Sequence, residues 1–136
     1  MEENLNWAVM YSSDLHQAAL DGVSEIQKEA GLGEPLVRPL GHRAIEEAIS
    51  RQPGLILLMA TMVNEVQRRD ILGLISHIHR EIARKHLATK VFMVTSGDEE
   101  VIEMLKAKGV EEVIPKPEGF EGIGVRIKGI VDKGKE

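Results

Sequence analysis

The stretch Leu55-Ile56-Leu57-Leu58-Met59 decides the fold. Five consecutive apolar residues without alternation do not suit a strand with one face in water. They read as a strand covered on both faces, which belongs in a parallel sheet. The run is far short of the ~20 residues needed to cross a bilayer. Working outward, Val91-Phe92-Met93-Val94-Thr95 repeats the pattern, and Trp7-Ala8-Val9-Met10-Tyr11 is a short apolar run of β-formers. Pro35-Leu36-Val37-Arg38-Pro39-Leu40 carries two prolines, each without a ladder donor, so it suits the edge of a sheet. Glu112-Val113-Ile114 is a brief fifth strand broken by Pro115 and Pro117.

Helical spacing fills the gaps. Leu15, Ala19, Val23, Ile26 and Ala30 share one face, behind the good N-cap residues Ser12, Ser13 and Asp14, with Gly31 and Gly33 as the stop. Gly41 and His42 open a second helix with Ala44, Ile45, Ala48 and Ile49 inward, closed by Pro53-Gly54. A long third pattern carries Ile71, Leu74, Ile75, Ile78 and Ile82. Ser96 to Asp98 are turn and cap residues before a short helix with Val101, Ile102 and Leu105, ended by Gly109. Phe120, Ile123, Ile127 and Ile130 mark a last helix, weakened by Gly122, Gly124 and Gly129. Five strands alternating with five helices predict an α/β doubly wound parallel sheet covered on both faces, with any ligand at the carboxyl ends of the strands.

The composition narrows the chemistry. The chain has 136 residues, enough for one domain with a single sound core. With no cysteine, disulfide scaffolds, thiol catalysis and thiolate metal sites are excluded. Aromatic residues are only 3%, so the core is built from Leu, Ile, Val, Met and Ala. A net charge of −5 gives no general attraction to nucleic acid or anionic lipid, and neither is expected as a partner. Residues 1–6 carry two acids and no basic stretch, so no signal peptide is expected and the chain reads as cytoplasmic.

Residues 91–117 resemble the receiver domain of bacterial two-component response regulators. An apolar strand ends in Thr95, an acidic helix runs to Ala107-Lys108-Gly109, and Val113-Ile114-Pro115-Lys116-Pro117 follows. In that family a Thr or Ser ends the fourth strand and a Lys-Pro pair follows the fifth. Residues 53–58 likewise resemble the run leading to the phosphate-accepting aspartate. The resemblance covers nearly the whole chain. It implies a single receiver-like domain over 1–136 (core about 6–131) with a flavodoxin-like, CheY-like five-stranded sheet of order 2-1-3-4-5 and five helices.

The chain departs from the family at the residues that do the chemistry. Met59 stands where the family has its acceptor aspartate, and Ser12 and Ser13 replace the acidic pair ending the first strand. A thioether cannot form an acyl phosphate. Two neutral hydroxyls cannot stand in for the carboxylates that hold Mg²⁺. Thr95 and Lys116 remain as a donor pair suited to an anion, although the plainer reading has Thr95 capping the next helix and Lys116 making a strand-end contact. The degenerate pocket is therefore Ser12, Ser13, Met59, Thr95 and Lys116, with no catalytic residue, metal or cofactor. Asp14 reads as a helix-terminal acid. Asp14-Leu15-His16 opens like the cobalamin pattern D-x-H-x-x-G, but Ala19 occupies the required glycine. His77 and His79 lie on different helix faces and His79 and His86 two turns apart, which argues against zinc.

The expected function is that of a phosphorylation-independent pseudo-receiver, a protein–protein interaction module in a two-component-type signalling system, and not an enzyme. The family's partner face maps onto 98–108, 112–114 and 120–131, with Glu103, Lys106, Glu112, Val113, Phe120, Ile123 and Ile127 as contacts. A homodimer is consistent with this. Residues 65–90 hold six basic residues against three acids, and 97–122 eight acids against three lysines, so two oppositely charged faces are expected to steer a partner or a second copy, the plainer reading being a pair of solvated helix faces. The alternative is a binder of a small anionic or nucleotide-like ligand, held by Ser12, Ser13, Thr95, Ser96 and Lys116, with the loop 61–70 as a lid.

Overall fold

The computed structural model of the chain describes residues 6–95, 98–115, 124, 125 and 127–129. Strands β1 (Trp7–Tyr11), β2 (Leu36–Pro39), β3 (Leu55–Ala60), β4 (Lys90–Thr95) and β5 (Glu112–Pro115) pair in parallel in the order β2-β1-β3-β4-β5. Helices α1 (His16–Ala30), α2 (His42–Ser50), α3 (Glu65–Arg84) and α4 (Glu99–Ala107) connect them, and residues 124, 125 and 127–129 are helical too. The predicted architecture and strand order are those observed, with the proline-bearing β2 at an edge.

Strand register explains the unbroken apolar runs. Met10, Leu58, Met93 and Val113 stand side by side across β1, β3, β4 and β5. They pack with Ile45, Ile49, Ile75, Ile78 and Leu105 from α2, α3 and α4. One residue along, Val9, Leu57 and Phe92 point the other way and pack with Ala19, Val23 and Ile26 of α1 and with Ile127. All six residues of β3 are buried. Each fully buried Leu there contributes about 1.5–3 kcal/mol relative to exposure, so a polar residue mid-strand would have no face to occupy.

The helix ends are set by individual polar contacts. Gly31 (φ +67) closes α1 in the left-handed region, its N–H donating to the Gln27 carbonyl. Ser12, Ser13 and Asp14 do not cap α1. Ser12 leads into a short 3-10 turn (Ser13–Leu15), and the Ser12 and Asp14 side chains bond to Thr61 instead. Nor does Thr95 cap α4, because Asp98 does so, accepting from Val101 N at 3.1 Å. The loop expected over 61–70 is shorter. Asn64 caps α3 by accepting from Gln67 N, while Gln67 Oε1 accepts from Asn64 N. This reciprocal box starts the helix at Glu65 and leaves only 61–64 outside it, so the long lid does not exist. Gly73 lies inside α3.

Candidate functional site

The carboxyl ends of β1 and β3 meet at Ser12. In register, Tyr11 pairs with Met59. One residue on, Ser12 N donates to the Met59 carbonyl at 2.8 Å, and on the other side Leu40 N donates to the Tyr11 carbonyl at 2.8 Å. Ser12 is extended (φ −66, ψ 145), after which the 3-10 turn is closed by Leu15 N on Ser12 O at 2.8 Å. The chain leaving β3 is tied to this turn twice. Thr61 N donates to Ser12 Oγ at 3.0 Å, and Thr61 Oγ1 donates to Asp14 Oδ2 at 2.6 Å.

These residues form one wall of a cavity of about 290 Å³. Ser12, Ser13, Asp14 and Thr61 come from the strand ends, Gln67 and Asp70 from the first turns of α3, and Leu40, Ile71 and Leu74 supply apolar walls. Among the described residues its lining carries two acids, Asp14 and Asp70, and no lysine or arginine. Among the described residues, no three His, Cys, Asp or Glu side chains gather so as to hold a metal ion.

Of the pocket expected from the sequence, the cavity gathers Ser12 and Ser13. Met59 is 1% exposed, and its side chain lies in the apolar cluster under α1 with Val9, Leu57 and Val94. Only its carbonyl oxygen reaches the strand-end turn. Thr95 is buried at the end of β4, paired with Ala60 and Pro115, and does not line the cavity. Lys116 and Ser96 lie outside the described residues. Thr61, Gln67 and Asp70, expected only within a lid loop, line the cavity itself. The Asn64-x-x-Gln67 box was the available signal, because it puts Gln67 and Asp70 on the opening turns of a helix.

On the expected partner face, Glu103 and Lys106 are exposed on α4 and Glu112 is half-buried. Val113 and Ile127 are buried, packed in the clusters on opposite sides of the sheet, so neither offers surface to a partner. Phe120 and Ile123 lie outside the described residues. A second cavity of about 370 Å³ between α3 and α4 is lined by Glu65, Arg68, Arg69, Leu72, Glu100 and Met104. Among the described residues, no helix is long and apolar enough to cross a membrane.

The histidines are arranged by the fold. His77 on α3 is buried, and its Nδ1 lies 2.6 Å from His42 Nδ1 at the start of α2. His79 packs against Gly109, and its Nε2 is buried with no hydrogen-bond partner among the described residues. Burial holds its pKa below the ordinary imidazole value of 6.5, partly offset by the nearby Glu111 carboxylate.

No protein-family model matches the chain, and no curated protein matches it in sequence. Solved structures do match. The signal receiver domain described for the response regulator NarL of Mycobacterium tuberculosis aligns with a TM-score of 0.69 at 16% identity, covering 98% of this chain and 98% of that one. A DNA-binding response regulator of the LuxR family from Staphylococcus aureus aligns at 0.65 and 18% identity, over 93% and 98% of the two chains. The CheY-like protein tadZ of Pseudomonas aeruginosa PAO1 aligns at 0.62 and 14%, over 96% and 98%. The chain therefore has the flavodoxin-like fold of receiver domains. At these identities the likeness is one of fold.

Proposed function

We propose that this chain is a receiver-fold signalling module that acts by binding a protein, without phosphorylation and without catalysis. The observation that carries this reading is the position of Met59. At the end of β3, where the receiver family keeps its phosphate acceptor, the side chain is a thioether turned into the core. The neighbouring hydroxyl is also committed, since Ser12 Oγ accepts from Thr61 N. Asp14 is the nearest acid in sequence, one place after the family's pair, and its carboxylate is held by the Thr61 hydroxyl. A hard Mg²⁺ ion needs several oxygen ligands in near-octahedral array, so these groups make a poor cradle for it. With phosphoryl chemistry set aside, what remains is surface. The α4 side carries Asp98, Glu99, Glu100 and Glu103, against Arg68, Arg69, Arg80 and Arg84 on α3. Charges of both signs on these two adjacent helices orient an incoming protein or a second copy of this chain.

The test is incubation with acetyl phosphate and MgCl₂ followed by intact-mass measurement. No stable gain of mass is expected, and the addition of one phosphoryl group would overturn the reading. Sedimentation at low and high salt tests self-association through the charged faces, which should weaken as salt rises.

The strand-end cavity favours one other reading, a small-ligand binder. Its described lining is acidic, with Asp14 and Asp70, which suits an amine or a neutral polar molecule better than the anion or nucleotide expected from the sequence. A thermal-shift screen with amines, nucleotides and phosphates separates the two: a rise of several degrees with one class would promote this reading.

A further inference from the structure

We propose that His42 and His77 form a two-imidazole site for a divalent transition-metal ion at the seam between α2 and α3. The residues are 35 apart in sequence, yet their Nδ1 atoms lie 2.6 Å apart, with ring centroids at 4.7 Å and planes tilted by 39°. Without metal, that contact requires one ring to carry a proton on Nδ1 and the other to present a bare lone pair. Removing the shared proton leaves two lone pairs converging on one point. Zinc binds imidazole nitrogen at about 2.0–2.1 Å, so two such bonds at a tetrahedral angle place the nitrogens roughly 3.3 Å apart. The nitrogens must part from 2.6 Å by about 0.7 Å to reach that spacing.

The surroundings allow this movement and supply an entry path. His77 is 7% exposed and is fixed by its packing in α3, whereas His42 is exposed on the first residue of α2. One turn further along each helix stands an acid, Glu46 after His42 and Glu81 after His77. Glu81 is held by Arg84 at 2.6 Å, and Arg84 also feels the Glu46 carboxylate, so the acids beside the site are partly neutralised. Because no third His, Cys, Asp or Glu joins the pair among the described residues, water or an incoming group must complete the coordination sphere. Imidazole ligands without carboxylate or carbonyl oxygens select Cu²⁺, Zn²⁺ or Ni²⁺ over Mg²⁺ or Ca²⁺. Binding releases the shared proton to solvent, so affinity falls as the solution is acidified. The bound ion would cross-link α2 to α3.

The experiment titrates the metal-stripped full chain with ZnCl₂, NiCl₂ and CuCl₂ separately at pH 7.5, by calorimetry and by thermal unfolding, with MgCl₂ as control. The expected result is one ion per chain, a raised Tm, Cu²⁺ tightest, and no response to Mg²⁺. His42→Ala, a change at an exposed residue, should weaken binding at least about tenfold, while His86→Asn leaves it unchanged. Nitrogen-15 NMR of the imidazoles gives an independent readout, since both Nδ1 resonances should shift on adding Zn²⁺. The proposal is overturned if no stoichiometric binding tighter than about 1 mM appears. It is equally overturned if His42→Ala binds as well as the parent, or if the Nδ1 resonances do not move.

Discussion

Thr61 is bound to the Ser12–Asp14 turn by both ends of its polar inventory, and the link to Asp14 is the shorter: Thr61 Oγ1 donates to Asp14 Oδ2 at 2.6 Å across 47 residues of sequence. The pair joins the chain leaving β3 to the turn leaving β1. It occupies the carboxylate that a strand-end metal would otherwise require.

The two Thr61 bonds differ in weight. Ser12→Ala leaves the half-buried Thr61 N–H without its partner and should cost about 1 kcal/mol. Thr61→Val removes only the exposed bond to Asp14 and should cost less than the Ser12 change. Urea unfolding of both variants checks the order.

Met59→Asp should not restore phosphate uptake. The substitution places a carboxylate among Val9, Leu57 and Val94, in a cluster whose described members are all apolar. Burying an unpaired charge there should destabilise the fold by several kcal/mol. Denaturant midpoints and the acetyl phosphate mass measurement read the two effects separately. A variant that is stable and gains a phosphoryl group would show that the side chain at 59 can turn out to the strand ends.

Two helical glycines should respond oppositely to alanine. A Cβ at Gly73 in α3 meets nothing within 4 Å, so Gly73→Ala should stabilise by about 0.5–1 kcal/mol through the unfolded chain's entropy. A Cβ at Gly124 would lie 2.6 Å from Glu29 Cβ and 3.2 Å from Ile26 Cα, and Gly124 N donates to Glu29 Oε1 at 3.1 Å. Gly124→Ala should therefore cost about 1–3 kcal/mol by forcing that segment off α1. Thermal unfolding of the pair is sufficient.

Acid should weaken the fold through His79. Its pKa in the folded chain is depressed by burial, so below 6.5 the unfolded chain takes up the proton first. The stabilising contribution is complete above that value and is lost as the pH falls through the folded pKa. His79→Leu should flatten this part of the stability–pH curve, measured by urea unfolding between pH 7.5 and pH 5. An unchanged slope would remove His79 as the cause.

The sequence by itself determined the order of elements, the two-sided burial of β3, the edge position of β2 and the stop of α1 at Gly31. Each depends on residues adjacent or one helical turn apart, whose side-chain directions follow from local periodicity. The replacement of an acid by Met59 was legible too, but its burial in the cluster under α1 follows from the packed sheet. The tertiary structure decided what the strand ends enclose. It drew Asp14 to Thr61, brought Asp70 into the cavity and set His42 against His77, pairs whose separation in sequence carries no local signal. Such meetings are fixed by how packed elements lie across one another, a relation that no short window of sequence contains.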